Sequence, residues 1–433
     1  MVGAIRSRAA RAAIGLLVSV LPLCEGVVRA DDRALYTPEE LTAIYGHSPP
    51  GSPPPDPTDA VADSPAAARL GRMLFFDPRL SDDGRVACST CHQPARAFTD
   101  GRRVAVALGT GTRNTPTLLN EPFGSWSFWD GRADSQWSQA LQPLENPREA
   151  GTDRLHILHL VRDDPPLRDA YRAVFGALPP LEDATRFPPH ALPGAALNAA
   201  WNAAWSGMAQ ADREAVNRAW SNLGKAIEAY ERLLVGGNSA FDRYVAGLKS
   251  GDAAAQAGIS AAAKRGLRLF IGAARCELCH AGPAFTDGQF HNLGLPLLSG
   301  EAADAGRDAG IRQVRDDPFN GAGAFSDAPA GEARGRLQYL PEPHLMLGAF
   351  KTPSLRNVAL TPPYMHDGRF AALEQVLDFY ARGRAASRGR VVGARERTVD
   401  LIPRLDEGQK RELIAFLQTL SSPQLPAELT GPP

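Results

Sequence analysis

The feature that most constrains this chain is a pentapeptide, Cys-x-x-Cys-His, that occurs at residues 88–92 and again at residues 276–280. The spacing puts two thiols on one helical turn and directs the next imidazole toward a shared centre. This is the attachment pattern of a c-type haem, in which the thiols bond to the vinyl groups and the histidine ligates the iron. A Cys-x-x-Cys pair could also form a redox disulfide or half of a zinc site.

The double occurrence favours the haem interpretation, because the two motifs use four of the five cysteines and both end in histidine. The sequence therefore predicts two covalently bound haems c. The residues that hold them are Cys88, Cys91 and His92 for the first haem, and Cys276, Cys279 and His280 for the second.

Composition adds broad limits. The chain has 433 residues, of which 44% are hydrophobic and 22% charged, as expected for a protein with a real core and two or three domains. A net charge of −1 gives no electrostatic reason to expect a nucleic-acid partner. Its 41 Gly and 36 Pro predict many loops, which suits a fold whose core is partly haem.

Residues 1–30 have the pattern of a cleavable secretory signal, with arginines followed by an apolar run over 12–23 and small residues up to Ala30. The apolar run is too short to span a bilayer. An uncleaved membrane anchor is the alternative. No later stretch is apolar enough for a transmembrane helix. We therefore expect an exported, periplasmic protein, cleaved near Ala30 and without stable membrane insertion.

The surroundings of the two motifs repeat as well. Each motif follows a Leu/Phe-rich helical segment and precedes Phe-Thr-Asp, at residues 98–100 and 285–287. This internal repeat predicts a mainly α fold with two cytochrome-c-like haem domains and long loops. The expected divisions are an extended leader over 31–66, an N-terminal haem domain with a helical insertion over 67–255, and a C-terminal haem domain over 256–425. Periodicity predicts helices over 67–76, 198–234, 370–382 and 406–420. It predicts an irregular surface loop over 299–338.

Four further motifs lie at 113–117 (RNTPT), 128–132 (FWDGR), 353–357 (PSLRN) and 363–368 (PYMHDG). With the two haem motifs they resemble the bacterial dihaem cytochrome c peroxidase and MauG superfamily. The resemblance covers roughly 67–151 and 258–420, and it is weak over 155–215 and 300–340. It implies hydrogen peroxide as the oxidant.

In that family the N-terminal haem is high-spin and meets peroxide. The family pattern of distal residues falls on Gln139, Pro143 and Glu149. The resemblance implies that Glu149 is the general acid/base that moves a proton between the peroxide oxygens, and that Gln139 holds peroxide or water. The alternative for Glu149 is an ordinary surface glutamate. Trp129 matches the tryptophan that lies between the two haems and offers a stepping stone for an electron hole.

Asn114, Thr361 and Pro363 match the family positions that bind a calcium ion where the domains meet. Carbonyl and amide oxygens suit such a hard cation. No carboxylate is evident among the three, so water is expected to complete the coordination.

Two departures from the conventional peroxidases matter. Those enzymes carry a histidine, before the segment equivalent to 113–117, that blocks the peroxidatic iron until the other haem is reduced. Here no histidine occurs between His92 and His156, so the gate is expected to be absent. Conventional members also ligate the second iron with a methionine, where this chain has Tyr380, fourteen residues after His366.

MauG-type enzymes carry an axial tyrosine at that position, and a phenolate stabilises oxidised iron whereas methionine raises its potential. The resemblance therefore implies that Tyr380 is the distal ligand of haem 2. The alternatives are that Tyr380 only packs and that Met346, Met365 or His344 is the ligand.

The MauG comparison has one limit, because the surface tryptophan that MauG-type enzymes carry two residues before the second motif is replaced here by Ala274.

The favoured function is peroxide-dependent oxidation of an exported partner protein through a high-valent dihaem state. One alternative is a conventional peroxidase that takes electrons from a small cytochrome c or cupredoxin. A second alternative is a non-enzymatic dihaem electron carrier.

Overall fold

The structure is a computed structural model that describes residues 31–49, 51–194, 198–328 and 336–433, besides Met1 and Gly3. The predicted signal segment thus lies outside the described residues. No described helix is both long and apolar enough to cross a membrane. The chain is mainly helical, as the sequence predicted, and its described α-helices are Pro38–Gly46 (α1), Pro65–Phe75 (α2), Cys88–Cys91 (α3), Gln136–Glu145 (α4), Arg154–Asp163 (α5), Pro165–Phe175 (α6), Ala199–Gly207 (α7), Gln210–Glu231 (α8), Ala240–Ser250 (α9), Ala253–Gln256 (α10), Ala261–Ile271 (α11), Arg307–Asp316 (α12), Leu373–Arg382 (α13) and Glu407–Gln418 (α14).

One short antiparallel ribbon accompanies these helices. Strand Phe290–His291 (β1) pairs with strand Phe350–Lys351 (β2), so that Phe290 lies opposite Lys351. Both strands belong to the C-terminal part of the chain.

The helices before each haem motif pack in the same way. Helix α2 crosses α8 and helix α11 crosses α14, and each crossing has a glycine at its closest point. A Cβ on Gly71 would lie 1.8 Å from the carbonyl oxygen of Ala226, and one on Gly266 would lie 1.9 Å from that of Glu412. Any side chain at either position would push the helices apart. The sequence repeat is therefore also a packing repeat.

The repeat extends through the segments that carry the family motifs. Asn120 and Asn357 both adopt left-handed backbone, with φ of 65° in each. The N–H of Asn120 donates to the carbonyl of Leu234 at 3.0 Å, and that of Asn357 donates to Leu420 at 3.1 Å. Residues 113–145 thus correspond, position by position, to residues 350–382.

Two hydrophobic clusters form the cores. The first lies around α2, α4, α5 and α8 and includes the fully buried Trp137, Trp220 and Tyr230. The second lies around α9, α11 and α14 and includes Phe241, Phe270 and Phe416. Each cluster backs one haem motif.

Three segments differ from the prediction. The leader over 31–66 is not simply extended, because it contains α1, which begins with a capping box between Thr37 and Glu40. The helix predicted over 198–234 is two helices, since Met208 is extended and buried between α7 and α8. The loop predicted over 299–338 contains α12, whose first residue, Arg307, is buried.

Candidate active site

The two haem-motif histidines have matching environments. His92 Nδ1 lies 3.1 Å from the carbonyl oxygen of Phe98, and His280 Nδ1 lies 3.0 Å from that of Phe285. Both phenylalanines have positive φ, 58° and 53°, which turns their carbonyls toward the imidazoles. An Nδ1–H that donates to a carbonyl leaves Nε2 as the free lone pair. Both rings are therefore prepared to ligate iron through Nε2.

Three of the four thiols lie in surroundings that fit haem attachment better than redox or zinc chemistry. Burial raises the pKa of Cys88 to about 12, that of Cys91 to about 11 and that of Cys276 to about 12. Reactive and metal-binding thiols have a lowered pKa instead. None of the four described cysteines is in a disulfide. The environment of these sulfurs suits covalent attachment to an apolar group.

The second motif opens into a cavity of about 660 Å³ that contains the side chains of Cys276, Cys279, His280 and Tyr380. This volume falls within the ~300–1,000 Å³ typical of cofactor sites. Tyr380 lies on α13, and burial raises the pKa of its hydroxyl well above the ordinary value, with the two neighbouring cysteines adding to the effect. The cavity can hold a haem between His280 and Tyr380.

The other candidate ligands of haem 2 differ in whether they line this cavity. Met365 also lines this cavity, whereas Met346 and His344 are not among its lining residues. His344 is exposed. Of the four candidates named from the sequence, Tyr380 and Met365 are therefore the two that line the cavity.

The first motif faces Glu149. Its carboxylate is close enough to raise the pKa of both Cys88 and Cys91. Burial raises the pKa of Glu149 itself, while Arg132 and a 2.6 Å hydrogen bond from Asn146 Nδ2 act to lower it. A half-buried carboxylate whose pKa is raised above its ordinary value can accept and return a proton beside a haem-binding motif.

A surface loop holds this glutamate in place. The backbone N–H of Gly109 donates to the carbonyl of Arg148 at 2.9 Å, and that of Leu108 donates to the carbonyl of Glu149 at 3.4 Å. The loop between His92 and Arg113 therefore packs on the segment that carries Glu149. This loop, where the gating histidine was expected to be absent, contains no histidine.

Gln139 and Pro143 lie on α4, next to the segment that carries Glu149. The side chain of Gln139 is half-buried and forms no hydrogen bond within the described residues. Its amide is thus free to bind a ligand.

The structural repeat makes Pro143 the counterpart of Tyr380. Pro143 follows Trp129 by fourteen residues, as Tyr380 follows His366. Proline has no atom that can ligate iron, so the same position supplies an axial ligand candidate in one site and none in the other. The sequence analysis missed this correspondence, although equal spacing from the two Asp-Gly-Arg turns could have revealed it.

Trp129 joins the two halves of the molecule. Its indole N–H donates to the carbonyl of Asn114 at 2.9 Å, and its own carbonyl accepts from the N–H of Lys351 at 2.8 Å. The N–H of Asn114 donates to the carbonyl of His366 at 2.8 Å. By the repeat, Asn114 and Lys351 are equivalent positions, and so are Trp129 and His366. The two halves therefore exchange equivalent hydrogen bonds across the junction.

Arginines surround this junction. Asp130 pairs with Arg113 at 2.6 Å and with Arg132 at 3.2 Å. Arg307 donates to the carbonyls of Asp130 and Gly131 at 3.1 and 2.5 Å. Arg113 and Arg132 stand within the motifs, but nothing in the sequence near Arg307 indicated its contact with residue 130, some 177 positions away.

The three predicted calcium ligands also line the 660 Å³ cavity. Asn114 Nδ2 donates to the carbonyl of Arg102 at 2.9 Å, which leaves Oδ1 as its free oxygen. The carbonyls of Thr361 and Pro363 accept no backbone hydrogen bond from the described residues. These neutral oxygens fit a hard cation.

Comparisons with known proteins agree with these features. A sequence model described as di-haem cytochrome c peroxidase matches residues 65–250. The methylamine utilization protein MauG of Methylorubrum extorquens is 32% identical, over 85% of this chain and 81% of that protein. The cytochrome-c peroxidase IdrP1 of Pseudomonas sp. is 31% identical, over 88% of this chain and 90% of that protein.

Solved structures give the same fold. A MauG-like protein associated with microbial copper homeostasis is 27% identical with a TM-score of 0.57, covering 88% of this chain and 96% of the other. The diheme peroxidase BthA from Burkholderia thailandensis is 23% identical with a TM-score of 0.61, covering 87% of this chain and 92% of the other. The predicted pair of cytochrome-c-like halves is confirmed.

Proposed function

Because this chain belongs to the di-haem cytochrome c peroxidase and MauG family, we propose that it uses hydrogen peroxide to oxidise side chains of an exported partner protein. As a member it is a peroxidase-type oxidoreductase with two haems c. Reduction of one peroxide to two waters takes two electrons and two protons, and the proposal assigns the partner as their source. The observation that supports it most strongly is the tyrosine at the second site. The equivalent position of the first site is a proline.

The first site supplies the peroxide chemistry. When bound, the haem provides the iron at which the oxygen–oxygen bond breaks. Glu149 takes the proton from the inner peroxide oxygen and returns it to the outer one, and Gln139 holds the peroxide by hydrogen bonds. Pro143 leaves the distal position open. Without a histidine in the 93–112 loop, peroxide reaches this site in the fully oxidised enzyme.

The second site would hold a haem whose ligand, Tyr380, favours the oxidised state. A phenolate from Tyr380 is a hard anionic ligand that stabilises oxidised iron, so it disfavours a haem that accepts electrons from a small cytochrome. Trp129 connects the sites through its indole. Together these residues favour a centre that oxidises a protein side chain over one that consumes reduced cytochromes.

The decisive experiment compares Tyr380→Phe and Tyr380→Met with wild type. The spectrum and reduction potential of haem 2 should change in both, and Tyr380→Met should raise the potential and increase turnover with a reduced small cytochrome c. The matched control is Tyr364→Phe, since Tyr364 lines the same cavity but donates its hydroxyl to Val358. An unchanged haem 2 in Tyr380→Phe would remove this tyrosine as ligand and favour Met365.

A conventional peroxidase is the second candidate, because IdrP1, a named cytochrome-c peroxidase, is 31% identical over most of this chain. A conventional peroxidase would be recognised by rapid turnover of the wild-type enzyme with a reduced small cytochrome or cupredoxin, after the enzyme itself has been reduced by one electron. The favoured function predicts that peroxide changes the spectrum of the fully oxidised protein without such reduction.

Two further features belong to the proposal. A calcium ion bound by Asn114, Thr361 and Pro363 holds the junction between the halves. The protein acts in the periplasm after cleavage near Ala30, so the mature protein should begin at Asp31, which N-terminal sequencing would check.

A further inference from the structure

The segment before the first haem domain crosses to the second one. Helix α1 packs against α11, the helix that leads into the second motif. The hydroxyl of Tyr36 lies 2.9 Å from that of Tyr244 on α9. The chain then buries His47 completely, at 0% exposure, at the C-terminal end of α1. We refer to residues 31–49 as the N-terminal arm.

His47 lies directly behind the second haem motif. Its ring stacks on Phe285, with the ring centres 4.3 Å apart and the planes 13° from parallel. Nδ1 lies 2.8 Å from the carbonyl oxygen of Gly282, and Nε2 lies 3.2 Å from Oε1 of Glu277. Glu277 is the second residue of the motif. One imidazole thus contacts the motif, the loop after it and the residue that orients His280.

A buried arginine also holds His47 and the loop after the second motif in place. Arg356 donates to the carbonyl of Pro283 at 2.6 Å and to the carbonyl of His47 at 3.3 Å. Its charge is balanced by Asp242 on α9, at 3.1 Å. The loop over 281–285 is therefore clamped between the arm and Arg356, and both contacts are shielded from water.

Within the described residues, the equivalent loop of the first site is held by Thr117, whose Oγ1 donates to the carbonyl of Ala97 at 2.6 Å. Phe98, the counterpart of Phe285, has its aromatic contact with Phe75, 6.4 Å between ring centres. Phe75 in turn packs on Tyr230. The second site has a buried imidazole and a buried guanidinium behind its motif, and the first site has Leu119 at the position equivalent to the guanidinium. This difference is independent of the residues on the distal sides.

We propose that His47 is a positioning residue for the second haem, through which the N-terminal arm sets the reduction potential of that haem. By holding the 281–285 loop, His47 keeps the Phe285 carbonyl against the Nδ1–H of His280. A firm Nδ1–H hydrogen bond makes the imidazole a more basic ligand, and a more basic ligand stabilises oxidised iron. This acts in the same direction as a phenolate at Tyr380. It rests on the proposed function only in taking His280 as an iron ligand.

The test uses full-length, haem-loaded protein and reads each haem separately. His47→Ala should raise the reduction potential of haem 2 and alter its spectrum, because the 281–285 loop loses the ring stack on Phe285 and the hydrogen bond at the Gly282 carbonyl. His47→Phe should give a smaller rise, since the ring stack survives. Haem 1 should keep its potential and its rate of reaction with peroxide. His344→Ala, at an exposed histidine outside the cavity, should change neither haem.

Two results would overturn the proposal: an unchanged haem 2 in His47→Ala, or equal shifts of both haems, which would mean general loosening of the fold. If His47→Ala fails to fold, His47→Phe alone decides. A shift in reduction potential confined to haem 2 would support the proposal, and no shift would overturn it. Failure of the proposed function would show instead in the Tyr380 variants and in the choice of electron donor, neither of which this measurement uses.

Discussion

Glu149→Gln tests the proton transfer at the first site. The amide keeps the size of the side chain, and its carbonyl can still accept the hydrogen bond that Asn146 Nδ2 now donates at 2.6 Å. Arg132 stays in place. The substitution therefore removes the base and little else. A positioned acid/base group contributes about 10²–10⁴-fold, or roughly 2.7–5.4 kcal/mol at about 1.36 kcal/mol per tenfold.

The pH profile gives a second reading of the same residue. Glu149 must be ionised to take a proton from peroxide, so the rate should rise as the carboxyl loses its proton. Burial raises the pKa above the ordinary value of 4.5, and the midpoint of the rise should lie above that value as well. Asn146→Ala removes a hydrogen bond that lowers this pKa, and should move the midpoint to still higher pH.

The assay is stopped-flow mixing of oxidised enzyme with peroxide, followed at the haem 1 absorption over a range of pH. Glu145→Gln is the matched control, since Glu145 lies four residues earlier and is paired with Arg154. Its rate should match wild type. A wild-type rate in Glu149→Gln, or a rate in wild type that does not vary with pH, would refute the role of Glu149.

Two further predictions concern the scaffold. After dialysis against a chelator, wild type should take up one calcium ion in a calorimetric titration, and Asn114→Ala should bind calcium far more weakly. A wild-type protein that binds no calcium would refute the site. Gly266→Ala should lower the free energy of unfolding by about 1–3 kcal/mol, as overpacking does, because the new Cβ would lie 1.9 Å from the Glu412 carbonyl oxygen. Gly237→Ala, which has open space around it, is the control in thermal unfolding, and equal melting temperatures would contradict the packing argument.

Local patterns predicted much of this molecule. The periodicity of apolar residues predicted α2, α13 and α14 to within three residues at each end, because each has one face on a core. The resemblance implied that Tyr380 is the distal ligand of the haem held by His280. The two side chains line one cavity, and the ligation itself stays a prediction. The roles assigned to Glu149, Gln139 and Trp129 stay predictions, although the structure gives each a fitting environment.

Contacts between distant segments could not be predicted in this way. His47 lies within a Pro-rich leader whose composition resembles a loose arm, and its partners are more than 200 positions away. Arg307 begins a segment rich in charge that, by pattern, belongs on a surface. In both cases burial depends on acceptors that distant segments supply, the Gly282 carbonyl for His47 and the carbonyls of Asp130 and Gly131 for Arg307. Such contacts leave no periodic trace in the sequence.

The reciprocal hydrogen bonds at Trp129 and Asn114 have a consequence for electron transfer. Since each half donates one backbone bond to the equivalent position of the other, sliding or opening the halves would break both bonds together. The separation of the two irons should then be the same in every oxidation state. Tunnelling between them would follow a constant distance, and the direction of electron flow would depend on the ligands of each iron and the residues that position them, with no contribution from hinge motion.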